Sequence, residues 1–177
     1  GQASQFIQKL GLKEVAFRPH AVPLVGHKEQ GRETAMASLT LRKARTIIRK
    51  TLEAGREKEL RPLAVVVLDA GGHVIAFERE DGASPGRFGI AQGKAYGAVM
   101  LGMAGTAQMA RAEQQAYFMA CLNGVYDGKV VPVPGGILVR DKKGAIIGAV
   151  GVTGDTSEND AEVGLAGIAG VGFEGEA

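Results

Sequence analysis

The chain has 177 residues, 45% of them apolar and 23% charged, with a net charge of +2. That length and balance suit one domain with a sizeable core, and they leave no strong field to recruit nucleic acid or an anionic membrane surface. No apolar run approaches the roughly 20 residues that span a bilayer, and the single cysteine, Cys121, excludes an intrachain disulfide and favours the cytoplasm.

Residues 1–38 stand apart from the rest. They hold Pro19, Pro23, His20 and His27 without a sustained period, beyond a short helical stretch at Gln2–Leu10. Apolar anchors such as Phe6, Phe17 and Val25 predict an N-terminal arm, followed by one domain over residues 39–177. Thr40 caps a helix in which Leu41, Ala44, Ile47, Ile48 and Leu52 make one apolar stripe. Arg42, Lys43, Arg45, Arg49 and Lys50 fall on its other faces as solvated charge, and Pro62 stops it. Leu63–Leu68 reads as a buried strand, Asp69-Ala70-Gly71-Gly72 as a tight turn, and His73–Arg79 as the return strand of a hairpin.

After a loop at Glu80–Arg87, Phe88–Met103 predicts a helix of small residues and Ala107–Leu122 a second helix. Cys121 falls in the apolar stretch Ala116–Leu122, where a buried, inert thiol is expected. Val130–Val133 reads as a short strand that Pro134-Gly135-Gly136 breaks. Ile137–Arg140 and Ala145–Val152 form another hairpin about Asp141-Lys142-Lys143-Gly144. Ser157 caps a last helix whose first turn carries Glu158, Asp160 and Glu162, as the helix dipole prefers. Hairpins rather than alternating strand–helix units predict an α/β (α+β) fold, with helices packed on an antiparallel sheet. Glycine is the unusual count, 27 residues, many in Ala-rich helical stretches where they cost stability. Close packing of backbone on backbone is the expected return.

Five of these pieces, in order, resemble one family. They are Leu39-Thr40-Leu41, the hairpin VVVLDAGGHVIAF at Val65–Phe77, Gly93-Lys94-Ala95-Tyr96, the loop PVPGGI at Pro132–Ile137, and IGAVGVTGDTSEND at Ile147–Asp160. Together they are similar to the GlcG/HbpS group, which includes the C-terminal domain of PduO-type proteins. The resemblance implies a profilin-like sandwich with a central antiparallel sheet of about five strands, and homo-oligomers, often hexamers or octamers. It implies haem binding for some members and a corrinoid-pathway association for the PduO-type domains. Other sequences of this type are linked to aromatic catabolism, where a 4-hydroxylaminobenzoate lyase is a known activity.

Several residues can carry chemistry. His73, at the start of the return strand, can ligate haem iron or move protons near neutral pH, or it can simply bond backbone at a strand end. Lys94 stands alone among Gly and Ala, and its ammonium either reaches an anion or snorkels to water. Arg87 can hold a carboxylate or a haem propionate; Arg79 is a weaker candidate. Tyr96 and Tyr117 can stack on a planar ring or belong to the core. Pro134, Gly135 and Gly136 either offer backbone N–H groups to a ligand or only bend the chain. Glu158 and Asp160 can act as acid or base, although helix-end electrostatics accounts for them. No zinc motif, serine-hydrolase motif or phosphate loop is present. The expected function is therefore binding of haem or a similar planar anionic ligand by an oligomer, with no other metal and no nucleic-acid or membrane partner. The alternative is a cofactor-free lyase on a small aromatic acid, with Arg87 or Lys94 holding the carboxylate and His73 or Glu158 moving protons.

Overall fold

The computed structural model describes residues 38–177. The helix expected at Gln2–Leu10 and the arm around it lie outside the described residues. Ten elements follow in order: α1 (Leu41–Glu57), β1 (Ala64–Asp69), β2 (Val74–Arg79), α2 (Arg87–Leu101), α3 (Gly105–Gln114), α4 (Ala116–Val125), β3 (Gly136–Arg140), β4 (Ile146–Thr153), α5 (Ser157–Ala169) and β5 (Glu174–Glu176). The five strands form one antiparallel sheet in the order β2-β1-β4-β3-β5. This is the mixed α/β architecture expected from the hairpins.

Strand alternation divides the core into two layers. Val65, Val67, Ile137, Val139, Val150 and Val152 point to one face and meet Ala44, Ile47, Ile48 and Leu52 of α1 and Val163 and Ile168 of α5. Val66, Leu68, Leu138 and Ala149 point to the other face, against Ala91, Ala95 and Ala98 of α2. The stripe on α1 is buried as expected except at its first member, Leu41, which is exposed. The second layer explains the glycines. A Cβ on Gly151 would overlap the Ala91 carbonyl, and one on Gly136 the Lys94 carbonyl, so α2 lies on the sheet at backbone contact.

Four local expectations are corrected. Val130–Val133 is not a strand: it crosses α2 in irregular backbone, with one bond from Val131 N to Gly93 O, and the fifth strand is the C-terminal β5. The predicted helix at Ala107–Leu122 is two helices, because Gln115 leaves the helical region at φ −137° and ψ 56°. Thr156, not Ser157, is the N-cap of α5; its hydroxyl accepts from Asn159 N at 3.2 Å. Cys121 is exposed rather than buried, because α4 turns only Met119 and Leu122 inward.

Candidate functional site

The register of β1 against β4 sorts the candidate residues into two groups. Ala64 pairs with Thr153 at one end of the sheet, and Asp69 pairs with Gly148 at the other. Six residues at about 3.3 Å each separate these ends.

At the Thr153 end, the structure gathers Arg87, Lys94, Pro134, Gly135, Gly136 and Glu158. Arg87 Nη1 donates to Thr153 Oγ1 at 2.8 Å. Lys94 is 3% exposed, so it neither snorkels nor reaches a surface anion; its Nζ donates to Asp160 Oδ2 at 2.9 Å. The other oxygen of Asp160 accepts from Asp155 N at 3.0 Å. The ion pair thereby ties α2 on one face of the sheet to α5 on the other, around the strand end. Gly135, at φ +98°, makes room for it: a Cβ there would stand 3.0 Å from Nζ and 2.7 Å from the Val152 carbonyl. Burial pushes the Lys94 pKa down, against the attraction of Asp160. Next to the pair, Asp155 accepts from Asn159, Thr156 and Arg61, in that order of effect, and these bonds hold its carboxyl far below the ordinary carboxylate range. A cleft of about 510 Å³ opens beyond this end between α1 and β2, but its lining is dominated by charge, with Arg56, Glu78, Arg79, Glu80 and Asp81. Arg56 there is already paired to Glu80 at 2.9 Å, and Arg79 donates to the Ala83 carbonyl.

The Asp69 end is built differently. The chain reverses through Asp69–Gly72, closed by bonds from Gly72 N to Asp69 O and from Asp69 N to His73 O. Gly72 takes φ +82°, and Tyr96 and Met100 of α2 pack where its side chain would be. Asp69 Oδ1 accepts from Gly71 N at 2.8 Å and His73 N at 2.9 Å. His73 Nδ1 lies 3.2 and 3.3 Å from the two oxygens of the same carboxylate. Burial alone would raise the Asp69 pKa; the two backbone N–H groups and the imidazole outweigh it and hold the carboxyl below its usual value. The His73 side chain is 82% exposed, and among the described residues Nε2 has no partner. Beside it opens a mostly apolar cleft of about 350 Å³, lined by Ser38, Leu39, Asp69, Ala70, Gly71, Ile146 and Ile147. Tyr96 is half-buried at this end, edge-on to Tyr126 at 6.0 Å. Tyr117 of α4 is exposed and makes no core contact of the kind its helix suggests.

The chain matches the family described as haem degrading protein HbpS-like over residues 39–169. It belongs to that family. Three solved structures are similar to this HbpS-like chain. A complex of PduOC with haem has a TM-score of 0.69 at 24% identity, covering 77% of this chain and 97% of its own. A double mutant of HbpS from Streptomyces reticuli has a TM-score of 0.67 at 28% identity, covering 85% and 97%. The ORFY protein of Klebsiella pneumoniae has a TM-score of 0.68 at 21% identity, covering 82% and 98%. Comparison with curated protein sequences finds no match.

Two roles escaped the sequence of this HbpS-like chain. Asp160 reads as a helix-end charge, and nothing announces its pairing with a lysine 66 positions away. Asp69 reads as a turn residue, although its spacing of four from His73 is visible in the chain. Among the described residues no group of three or more His, Cys, Asp or Glu side chains can hold a metal ion, and no helix is long and apolar enough to cross a membrane.

Proposed function

We propose that this HbpS-like protein binds haem, or a planar anionic ring like it, at the Asp69 end of the sheet, with His73 as the iron ligand. The observation that carries the reading is the exposed imidazole whose Nε2 is unpartnered among the described residues, standing beside a cleft walled by Leu39, Ile146 and Ile147. A neutral imidazole nitrogen next to an apolar wall is the donor chemistry that haem takes, and bound haem would supply redox or oxygen chemistry there. The haem of the similar PduOC complex supports the same class of ligand. Tyr96 packs against Gly72 of the same turn but does not line the cleft.

The cleft is smaller than a porphyrin, so the reading includes a second copy that completes the enclosure. The sequence of α4 supports this. A helix of composition AYFMACLNGV is apolar nearly all round, and it leaves Tyr117 75% and Val125 70% exposed, with Phe118 also uncovered. The hexamer or octamer expected from the family belongs to the same reading. Lys94, one of the two groups that would hold a carboxylate in the lyase reading, is already paired to Asp160, and no observation favours that reading.

Titration of the purified protein with hemin tests the proposal. The expected result is a saturable Soret band that is lost or shifted in His73→Ala. Unsaturable absorbance with no defined stoichiometry would remove the reading.

A further inference from the structure

The geometry points to Asp69 as a positioning residue that fixes His73 in its Nδ1–H tautomer, so that the exposed Nε2 carries the lone pair. This deepens the haem reading, but the tautomer itself does not depend on any ligand.

Three observations carry it. First, the carboxylate is held by backbone donors as well as by the imidazole. Its Oδ1 accepts from Gly71 N and His73 N, both within 2.9 Å, so the acceptor has a fixed position. Second, both oxygens face the same ring nitrogen, Nδ1, at 3.2 and 3.3 Å. An ionised carboxylate is acceptor-only, so the proton of a neutral ring is held on Nδ1. Third, the ring has a reserved place. Gly71 lies under it, and a Cβ on Gly71 would come within 2.8 Å of Cε1 and 2.9 Å of Nδ1. The segment Asp69-Ala70-Gly71-Gly72-His73 thus encodes acceptor, space and donor within one turn. A histidine free in water favours the opposite tautomer, with the proton on Nε2, which leaves that nitrogen without a lone pair to donate. A ligating histidine elsewhere commonly has its second nitrogen held by a carboxylate in this way.

The test is a long-range ¹H–¹⁵N spectrum of the ¹⁵N-labelled protein without ligand, recorded over a pH series and read in the range where the ring spectrum no longer changes with pH. In the unmodified protein Nδ1 is expected to show the shift of a protonated ring nitrogen and Nε2 that of an unprotonated one. Asp69→Asn keeps an oxygen for the two backbone donors but presents an amide to the ring, and it is expected to move the proton to Nε2. Gly71→Ala, which keeps the carboxylate and displaces the ring, is expected to give a mixture of tautomers. An Nε2–H ring in the unmodified protein, or no change in Asp69→Asn with the turn intact, overturns the inference. Hemin titration of the same samples separates it from the proposed function. Asp69→Asn is expected to weaken hemin binding by roughly 10–100-fold. If the tautomer behaves as described but hemin does not bind the unmodified protein, the haem reading fails and the role of Asp69 stands.

Discussion

The two ends of the sheet put similar residue types to opposite uses. At the Thr153 end a lysine and an aspartate meet in the interior and lock two helical layers together. At the Asp69 end an aspartate and a histidine meet at the surface, and among the described residues the second ring nitrogen has no partner. Burial makes the difference. A charge in the interior is tolerated only when paired, so Lys94 and Asp160 are committed to each other. The same kind of contact in water contributes little stability, so Asp69 and His73 are available for orientation rather than support. Lys94, Asp160 and Arg87, conspicuous in the sequence for their charge, bond to partners within the fold, whereas the exposed imidazole of His73 follows directly on a turn.

Substitutions at five positions test this contrast. The largest effect is expected for Lys94→Ala, which leaves Asp160 charged and alone in the interior; a loss of about 3–5 kcal/mol in urea unfolding is expected. Replacing the pair together, Lys94→Met with Asp160→Leu, should recover most of that loss. A cost near zero for the single change would show that the pair is not a lock. Next comes Gly151→Ala, whose Cβ meets the Ala91 carbonyl and must push α2 off the sheet. Overpacking of this kind costs about 1–3 kcal/mol, readable as a lowered urea midpoint, with hemin affinity little changed.

At the other end the sign of the contrast reverses. Gly71→Ala should leave the unfolding midpoint nearly unchanged, since its Cβ overlaps the movable imidazole and meets Asp69 Oδ1 only at 3.3 Å, while hemin affinity falls roughly tenfold as the ring shifts. Equal damage to stability would mean the turn is itself part of the core. The smallest effect concerns pH. Asp155 has its folded pKa depressed, so its contribution is full above the ordinary carboxylate value of about 3.9 and is lost as the pH falls below it. Acid unfolding of Asp155→Asn should therefore show a slightly shallower dependence below about pH 4 than the unmodified protein.

Much of the fold is legible in the chain because its signals are local. The β-branched run before Asp69, the paired turn glycines and the stripe on α1 each report on neighbours within a few residues. The errors fall where a distant partner decides. Val130–Val133 has the composition of a strand, but it crosses α2 in irregular backbone, and the edge beside β3 is formed by Glu174–Glu176, whose sequence carries no strand signal. Cys121 lies in a run apolar enough to be core, yet α4 has too little protein over it to bury more than two side chains. His73 and Tyr96 stand out in the chain as candidates, and both lie at the Asp69 end of the sheet. Lys94, Arg87 and Gly135 are conspicuous for their chemistry, but only the crossing of α2 and α5 around the sheet end reveals that their contacts are internal.

On this reading ligand chemistry belongs to the Asp69 end and not to the Lys94 end. The most direct test is a ¹H–¹⁵N correlation spectrum of the protein with and without gallium protoporphyrin, a diamagnetic stand-in for haem. Shifts concentrated at Ser38, Leu39, Asp69 to His73, Ile146 and Ile147 are predicted. Shifts concentrated instead at Arg87, Gly135, Gly136 and Asp160, with the Asp69 turn undisturbed, would contradict it.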